Sequence, residues 1–149
     1  MGFVEVPAID KAIKSELDKI KDRVINKDMD YFGVVDGDEG SGKSVLAMQW
    51  CKYLDPSFNL DRIVFTSDQF VALLKDPKLK PGSAILLDEA YNAANARATM
   101  SEVNRSMVAV TTEVRQKNLF VFIVLPSFFD LDRTLAIHRT RSLCHVYYD

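Results

Sequence analysis

The residues with the clearest chemical meaning lie at positions 37 to 44, where the chain reads Gly-Asp-Glu-Gly-Ser-Gly-Lys-Ser. The glycines let the backbone curl so that successive N–H groups point inward at an anion. A lysine and a hydroxyl residue follow the last glycine, in the spacing G-x-x-x-x-G-K-[ST] that binds nucleotide phosphates. We expect the phosphate contacts to come from this loop and the next residue. The predicted binding set is Gly37, Asp38, Glu39, Gly40, Ser41, Gly42, Lys43, Ser44 and Val45.

The residues around this loop support the assignment. Residues 31–35 form an apolar run typical of a buried strand, and residues 45–54 have the composition of a helix with little polar surface. Strand, glycine loop and helix are the order that the motif requires, and the helix adds its positive end to the anion site. Lys43 would then reach the β- and γ-phosphates, and the Ser44 hydroxyl would bind Mg²⁺. The alternative, a chance glycine-rich turn, does not predict this arrangement.

A second group of chemically informative residues follows the apolar run Ala84-Ile85-Leu86-Leu87, which ends in Asp88-Glu89. At the carboxyl end of a strand, Asp88 would hold Mg²⁺ directly or through water, opposite Ser44. Glu89 is placed to orient and polarise the water that attacks the γ-phosphate. The alternative for Glu89 is an acid at a helix N-terminus, stabilised by the helix dipole. The position of the acidic pair after a strand favours the catalytic interpretation.

The bulk properties of the chain fit one domain. With 149 residues and 48% hydrophobic residues, it can bury one core, and we expect a single domain over 1–149. The net charge of −2 gives no general attraction to nucleic acid. No apolar run is long enough to span a bilayer, and no signal-peptide pattern is present. Cys51 and Cys144 lie in apolar segments, which favours reduced core thiols and a cytoplasmic location.

The order of predicted elements indicates a three-layer α/β/α sandwich. Apolar strands alternate with helices, which is typical of a parallel sheet covered on both faces. We expect a five-stranded, mostly parallel sheet in the order 5-1-4-3-2, with the ligand at its carboxyl edge. Within residues 1–29, an amphipathic helix over 9–24 would pack on the core; a subunit contact is the alternative. The other predicted elements are strands at 62–66, 84–89, 119–125 and 143–148, a helix capped by Ser67 or Asp68, and a helix over about 101–116.

With the loop at 37–44 and the Asp88-Glu89 pair, the chain resembles the P-loop ATPases of the additional-strand class. In that class, which includes RecA-like, AAA+ and FtsK/HerA-type motors, a Walker B aspartate is followed by a catalytic glutamate. This resemblance covers about residues 30–149. A narrower resemblance, to viral and conjugative ATPases of the zonula-occludens-toxin and HerA/FtsK type, depends on segments 88–90, 115–117 and 129–133 and on the strand to Leu125.

The resemblance implies further roles. ATP would be the nucleotide and Mg²⁺ its metal, and the active form would be a homo-oligomer that moves or remodels DNA or a protein. Because no basic tract is visible, contact with that partner would come from loops of the oligomer, such as residues 91–100. A polar sensor residue is expected after the central strand, where Ser127 is the one candidate. Arg115, followed by Arg133, is the candidate for an arginine finger.

Three acids, Asp36, Asp38 and Glu39, lie close to the expected polyphosphate. We expect all three side chains to point outward, because carboxylates near the phosphates would weaken binding by like-charge repulsion. One hypothesis is that they receive arginines from a neighbouring subunit. His138 and His145 lack metal-ligand spacing with any cysteine or acid, so a structural role is favoured for both.

Two other functions remain open at this stage. A small-molecule kinase also needs a phosphate loop, and residues 131–141 would serve as its lid, although Asp88-Glu89 favours water as the phosphate acceptor. A nucleotide-gated switch with slow turnover is the third interpretation. A GTPase is disfavoured, because the base-reading motif N-K-x-D does not follow the loop, and Asn26-Lys27-Asp28-Met29 precedes the loop and lacks the final aspartate.

Overall fold

The computed structural model of the chain describes residues 9–38, 40–88, 105, 118–130 and 140–147, and five strands lie within them. They pair in one sheet in the order β2-β3-β4-β1-β5, and every pairing is parallel. Read from the other edge, this is the predicted order 5-1-4-3-2, which is therefore confirmed. The strands are Tyr31–Gly37 (β1), Ile63–Val64 (β2), Ala84–Asp88 (β3), Phe120–Leu125 (β4) and Ser142–Val146 (β5).

Both faces of the sheet are covered because its inner strands are apolar at successive positions. Alternate side chains point to opposite faces of a strand, and all six residues of β4 are buried. Val121 and Ile123 join a cluster on one face with Phe70 and Leu74. Phe120 and Phe122 join a cluster on the other face, whose remaining members include Leu17, Val24, Ala47, Trp50 and Leu54. The predicted three-layer arrangement follows from these two clusters.

Three helices supply the covering residues: Lys11–Asn26 (α1), Lys43–Leu54 (α2) and Ser67–Leu74 (α3). α1 begins two residues later than predicted because Asp10 caps it; the Asp10 carboxylate accepts a hydrogen bond from the Ala12 N–H at 2.8 Å. α1 and α2 lie on one face of the sheet and α3 on the other. In the part of the chain that the structure describes, no helix is long and apolar enough to cross a membrane.

Some predicted boundaries were wrong. The cap of α3 is Thr66, not Ser67 or Asp68: its hydroxyl accepts from the Gln69 N–H at 3.1 Å. The strand expected at 62–66 is reduced to Ile63–Val64, because a 3₁₀ turn occupies Leu60–Arg62 and the cap of α3 follows. The last strand lies at 142–146, not 143–148. Of the helix expected at 101–116, only Arg105 is described, and it is helical.

The two edges of the sheet are defined by strand direction. The amino edge is where the strands begin, and the carboxyl edge is where they end. At the amino edge, Asp30 accepts from the Leu119 N–H at 2.8 Å, which joins the starts of β1 and β4. Buried Asp55, just after α2, accepts from the Ala84 N–H and from Arg62, each at 2.9 Å. These carboxylates fix the beginnings of the strands.

Candidate nucleotide-binding site

The predicted phosphate loop leaves the sheet at its carboxyl edge. Gly37, the last residue of β1, is in register with Val146 at the end of β5. On the other side of β1, Asp36 is in register with Leu125, the end of β4. Three of the strands therefore end around the loop, which is where ligands bind in open parallel sheets.

The backbone of the loop has the curled conformation that its glycines predict. Gly37, Gly40 and Gly42 have φ angles of 149°, 76° and 85°. A Cβ atom on Gly37 would lie 2.2 Å from the Val146 carbonyl oxygen. No other residue fits there, since real Cβ contacts are essentially never shorter than 3.0 Å. The close approach of β5 to the loop therefore requires Gly37.

Lys43 is the first residue of α2, and its side chain is buried, with 4% of the residue exposed. Its Nζ atom donates to the Asp38 carbonyl oxygen at 3.0 Å. Among the described residues, no carboxylate pairs with this ammonium group. Gly42 caps α2 without a side-chain hydrogen bond, so the first N–H groups of the helix remain available to an anion.

Other side chains of the loop differ in their exposure. The Ser41 hydroxyl oxygen is buried and has no hydrogen-bond partner within the described residues. Ser44 is half-buried, and Asp38 and Val45 are exposed. Glu39 lies outside the described residues. A buried hydroxyl without a partner is rare in folded proteins, so Ser41 is a group that a bound ligand would satisfy.

Asp36 does not point outward, so that expectation was wrong for this residue. It is 7% exposed, and its Oδ2 atom accepts from the Phe128 N–H at 2.9 Å. Its Oδ1 atom lies 2.8 Å from Nδ1 of His145, whose ring stacks on Tyr147 with centroids 6.0 Å apart. Asp36 is buried because these polar groups compensate its charge; Asp38, which is exposed, does point outward. Sequence patterns did not find this cluster, although Asp36 directly precedes the loop.

The remaining predicted residues are only partly described. Asp88 ends β3 and is half-buried, in register with Val124 of β4. Ser127 follows β4, and its hydroxyl oxygen accepts from the Phe129 N–H at 3.3 Å, at the start of the 3₁₀ turn Phe128–Asp130. Glu89, Arg115, Arg133 and His138 lie outside the described residues, as does the segment 91–100.

Comparison with solved structures agrees with this geometry. The chain superimposes on Thermotoga maritima RuvB T158V with a TM-score of 0.59 and 13% identity, over 93% of this chain and 45% of RuvB. It also superimposes on the FIGL-1 AAA domain in complex with ADP, with a TM-score of 0.59 and 17% identity, over 98% and 55% of the two chains. This chain has the P-loop nucleoside-triphosphatase fold. The neighbours are AAA+ ATPases, and at these identities the likeness concerns the fold.

This chain spans about half the length of the two protein chains that it matches. No protein-family model matches the sequence, and no curated protein matches it. The zonula-occludens-toxin-like likeness therefore depends on the sequence segments alone.

The residues of the P-loop fit a bound polyphosphate with its magnesium ion. The loop offers curled backbone, the buried Ser41 hydroxyl without a partner and the buried Lys43 ammonium group. A serine hydroxyl at Ser44 and a carboxylate at Asp88 are oxygen ligands of the kind that Mg²⁺ prefers. In the described part of the chain, no group of three or more histidine, cysteine, aspartate or glutamate side chains forms a separate metal site.

Both cysteines are free thiols, as predicted. Cys51 lies on the buried face of α2 and is fully buried, and burial raises the pKa of its thiol far above the usual range. Cys144 on β5 is half-buried; burial and the neighbouring Asp36 carboxylate raise the pKa of its thiol as well. A thiol with a raised pKa is a poor nucleophile at neutral pH, so neither cysteine is a candidate for covalent catalysis.

Proposed function

We propose that this chain is a magnesium-dependent ATP hydrolase with its active site at the carboxyl edge of the sheet. The observation that carries the proposal is the buried Lys43 ammonium group, which has no carboxylate partner among the described residues. A buried cation costs several kcal/mol unless an anion compensates it. A nucleotide polyphosphate supplies such an anion, next to the helix N-terminus and the curled loop.

Each residue of the loop would have a distinct task. The backbone N–H groups of 37–44 and the Lys43 ammonium group would hold the charge of the β- and γ-phosphates. Ser44 and Asp88 would hold Mg²⁺, which neutralises the charge that develops on the phosphate oxygens. Glu89 would orient the attacking water and accept its proton. Ser127 would sense the γ-phosphate, and Arg115 would reach it from the same or a neighbouring subunit.

We further propose that the chain is one ATPase domain over 1–149 and acts in the cytoplasm as a homo-oligomer on DNA or a protein. The AAA+ fold of its neighbours supports a remodelling motor. The sequence segments at 88–90, 115–117 and 129–133 support the narrower proposal of a viral or conjugative ATPase. Residues 91–100, with Arg97, are the proposed contact for the partner.

The test is the steady-state rate of ATP hydrolysis, measured with and without single- and double-stranded DNA. The parent should hydrolyse ATP, and Lys43→Met should lower turnover about 10²- to 10³-fold, as removal of one preorganised charge-stabilising group does. Glu89→Gln should still bind ATP but lose hydrolysis. If Glu89→Gln turns over ATP at the parental rate, the catalytic assignment of Glu89 is wrong. A rate that rises with DNA supports a nucleic-acid motor.

The matched control is Lys52, which lies at the other end of the same helix. Its ammonium group donates to the carbonyl oxygens of Pro56 and Phe58, at 2.6 and 3.3 Å. Lys52→Met removes the same charge from the same helix at the amino edge, so turnover should stay at the parental level. An equal loss of turnover in Lys43→Met and Lys52→Met would mean that both substitutions act through the helix and not through a contact with phosphate. ATP binding without turnover in the parent would favour the switch.

A further inference from the structure

We propose that Asp36 is a positioning residue that fixes the P-loop to the turn after β4 and to the end of β5. The proposal depends on the ATPase function proposed above. Asp36 directly precedes Gly37, the first residue of the loop. Its carboxylate is buried and connects three chain segments that meet at the carboxyl edge.

The two carboxylate oxygens of Asp36 serve different neighbours. Oδ2 accepts from the Phe128 N–H at 2.9 Å, and Phe128 directly follows the candidate sensor Ser127. Oδ1 lies 2.8 Å from Nδ1 of His145, which belongs to β5. One side chain therefore sets the distance from the loop to the sensor turn and to the neighbouring strand.

The position of Asp36 explains why a carboxylate is tolerated so near to a polyphosphate. A buried carboxylate needs hydrogen-bond donors or a positive charge to compensate its lost hydration. The Phe128 N–H and the His145 ring supply that compensation.

Displacement of any of the three segments would therefore move the others. The main-chain ladder joins Asp36 to Leu125 and His145 as register partners, but both partner strands end within two residues of these positions. Beyond that point the ladder no longer holds the Ser127–Phe128 turn against β1. The Asp36–Phe128 hydrogen bond and the packing of Phe128 against the core hold the turn instead, and we expect loss of the hydrogen bond to misplace the sensor turn and not the phosphates themselves.

Asp30, at the opposite end of β1 from the loop, offers a matched control. Asp30 lies just before β1 and accepts from the Leu119 N–H at 2.8 Å, just before β4. Asp36 makes the same kind of hydrogen bond at the carboxyl edge. Its carboxylate accepts from the main-chain N–H of Phe128, which lies just after β4. If these carboxylates only fix the strands, substitution of Asp30 and substitution of Asp36 should lower kcat alike. A positioning role in catalysis belongs to Asp36 alone.

The experiment compares Asp36→Leu and Asp36→Asn with Asp30→Leu and Asp30→Asn. For each variant, kcat and KM for ATP and the Kd of a non-hydrolysable ATP analogue are measured. Asp36→Leu should lower kcat about 10- to 100-fold, the range caused by small misplacement of reacting groups, with the Kd little changed. Asp36→Asn should restore most of kcat, because its amide keeps an oxygen for the Phe128 N–H and a polar contact for His145. Asp30→Leu should keep the parental kcat.

The outcomes separate this proposal from the ATPase proposal. If the parent neither binds nor hydrolyses ATP, the proposed function fails and takes this inference with it. If the parent hydrolyses ATP and Asp36→Leu matches it, the positioning role alone is wrong. An equal fall in kcat for Asp30→Leu would also overturn the positioning role, since general fixation of the strands would then explain both results.

If Asp36→Leu does not fold, Asp36→Asn is compared with His145→Phe. The phenylalanine keeps a ring on Tyr147 but removes Nδ1. A parental kcat in His145→Phe would contradict the coupling to β5.

Discussion

The two edges of the sheet use the same kind of side chain for different purposes. At the amino edge, Asp30 and Asp55 accept hydrogen bonds from main-chain N–H groups at the starts of β4 and β3. At the carboxyl edge, Asp36 accepts from a main-chain N–H group after β4. The edges differ in what lies beside these carboxylates. The carboxyl edge carries a buried lysine without a carboxylate partner among the described residues, and the amino edge pairs Asp55 with Arg62.

If the proposed function is correct, this difference explains how one sheet can be stabilised at one edge and bind a ligand at the other. Groups that compensate each other within the fold are not available to a ligand, and removal of one partner leaves the other buried and unpaired, which destabilises the fold. Among the described residues, the buried Lys43 ammonium group has no carboxylate partner and the Ser41 hydroxyl has no hydrogen-bond partner, so in the proposed function both would lower stability but be available to an anion. We therefore expect substitutions at the amino edge to change mainly the free energy of unfolding. Substitutions at the carboxyl edge should change mainly nucleotide affinity and turnover.

The largest change in stability is expected at Asp55. Its carboxylate accepts from the Ala84 N–H, Arg62 and the Ser57 main chain and hydroxyl. Asp55→Ala would leave the half-buried Arg62 charge and the buried Ala84 N–H without partners, at a cost of about 3–5 kcal/mol in unfolding free energy. Urea denaturation followed by tryptophan fluorescence measures it, since Trp50 lies in the core.

Asp61 is the control for this measurement. It lies in the 3₁₀ turn beside Arg62 and is exposed. Asp61→Ala should change the free energy of unfolding by no more than about 0.5 kcal/mol, as surface substitutions usually do. Under conditions where both variants are folded, their affinity for the ATP analogue should match that of the parent. A large loss of affinity in Asp55→Ala would contradict the proposal that the amino edge determines stability and the carboxyl edge determines nucleotide binding.

Much of the fold and the conformation of the phosphate loop could be predicted from the sequence, because both depend on local pattern and composition. The G-x-x-x-x-G-K-[ST] spacing predicted the curled loop, and apolar runs at 84–87 and 119–125 predicted the buried inner strands. The strand order followed from the fold that these motifs indicate. Each of these features depends on residues close together in the chain.

The features that the sequence did not predict depend on contacts between distant residues. Asp36 lies directly before the loop, and like-charge repulsion with the expected polyphosphate predicted a solvent-facing carboxylate. Its actual partners, Phe128 and His145, are separated from it by 92 and 109 positions. The cap of α3 was missed for a smaller reason: Thr66, Ser67 and Asp68 are all good capping residues, so propensity could not choose between them.

The smallest expected effect, and the sharpest test of the comparison, comes from two glycines. Gly42 in the P-loop and Gly82 at the amino edge have φ angles of 85° and 83°, and a Cβ atom on either would meet nothing within 4 Å. Alanine at either position should therefore cost the same left-handed strain, about 1–2 kcal/mol. Gly42→Ala should in addition lower affinity for the ATP analogue about tenfold, the equivalent of one lost hydrogen bond to phosphate.

The two alanine variants should differ in affinity because a backbone shift that relieves the strain would disturb different contacts at each glycine. A shift of the backbone at Gly82 would disturb its N–H bond to the Asn118 carbonyl oxygen, which only joins two loops at the amino edge. The same shift at Gly42 would turn the first N–H groups of α2 away from the proposed phosphate site. Calorimetric titration with the ATP analogue, run on both variants beside thermal unfolding, measures both effects. Equal affinities in Gly42→Ala and Gly82→Ala would mean that the helix N-terminus adds nothing to binding, and Lys43 would then have to hold the phosphates without it.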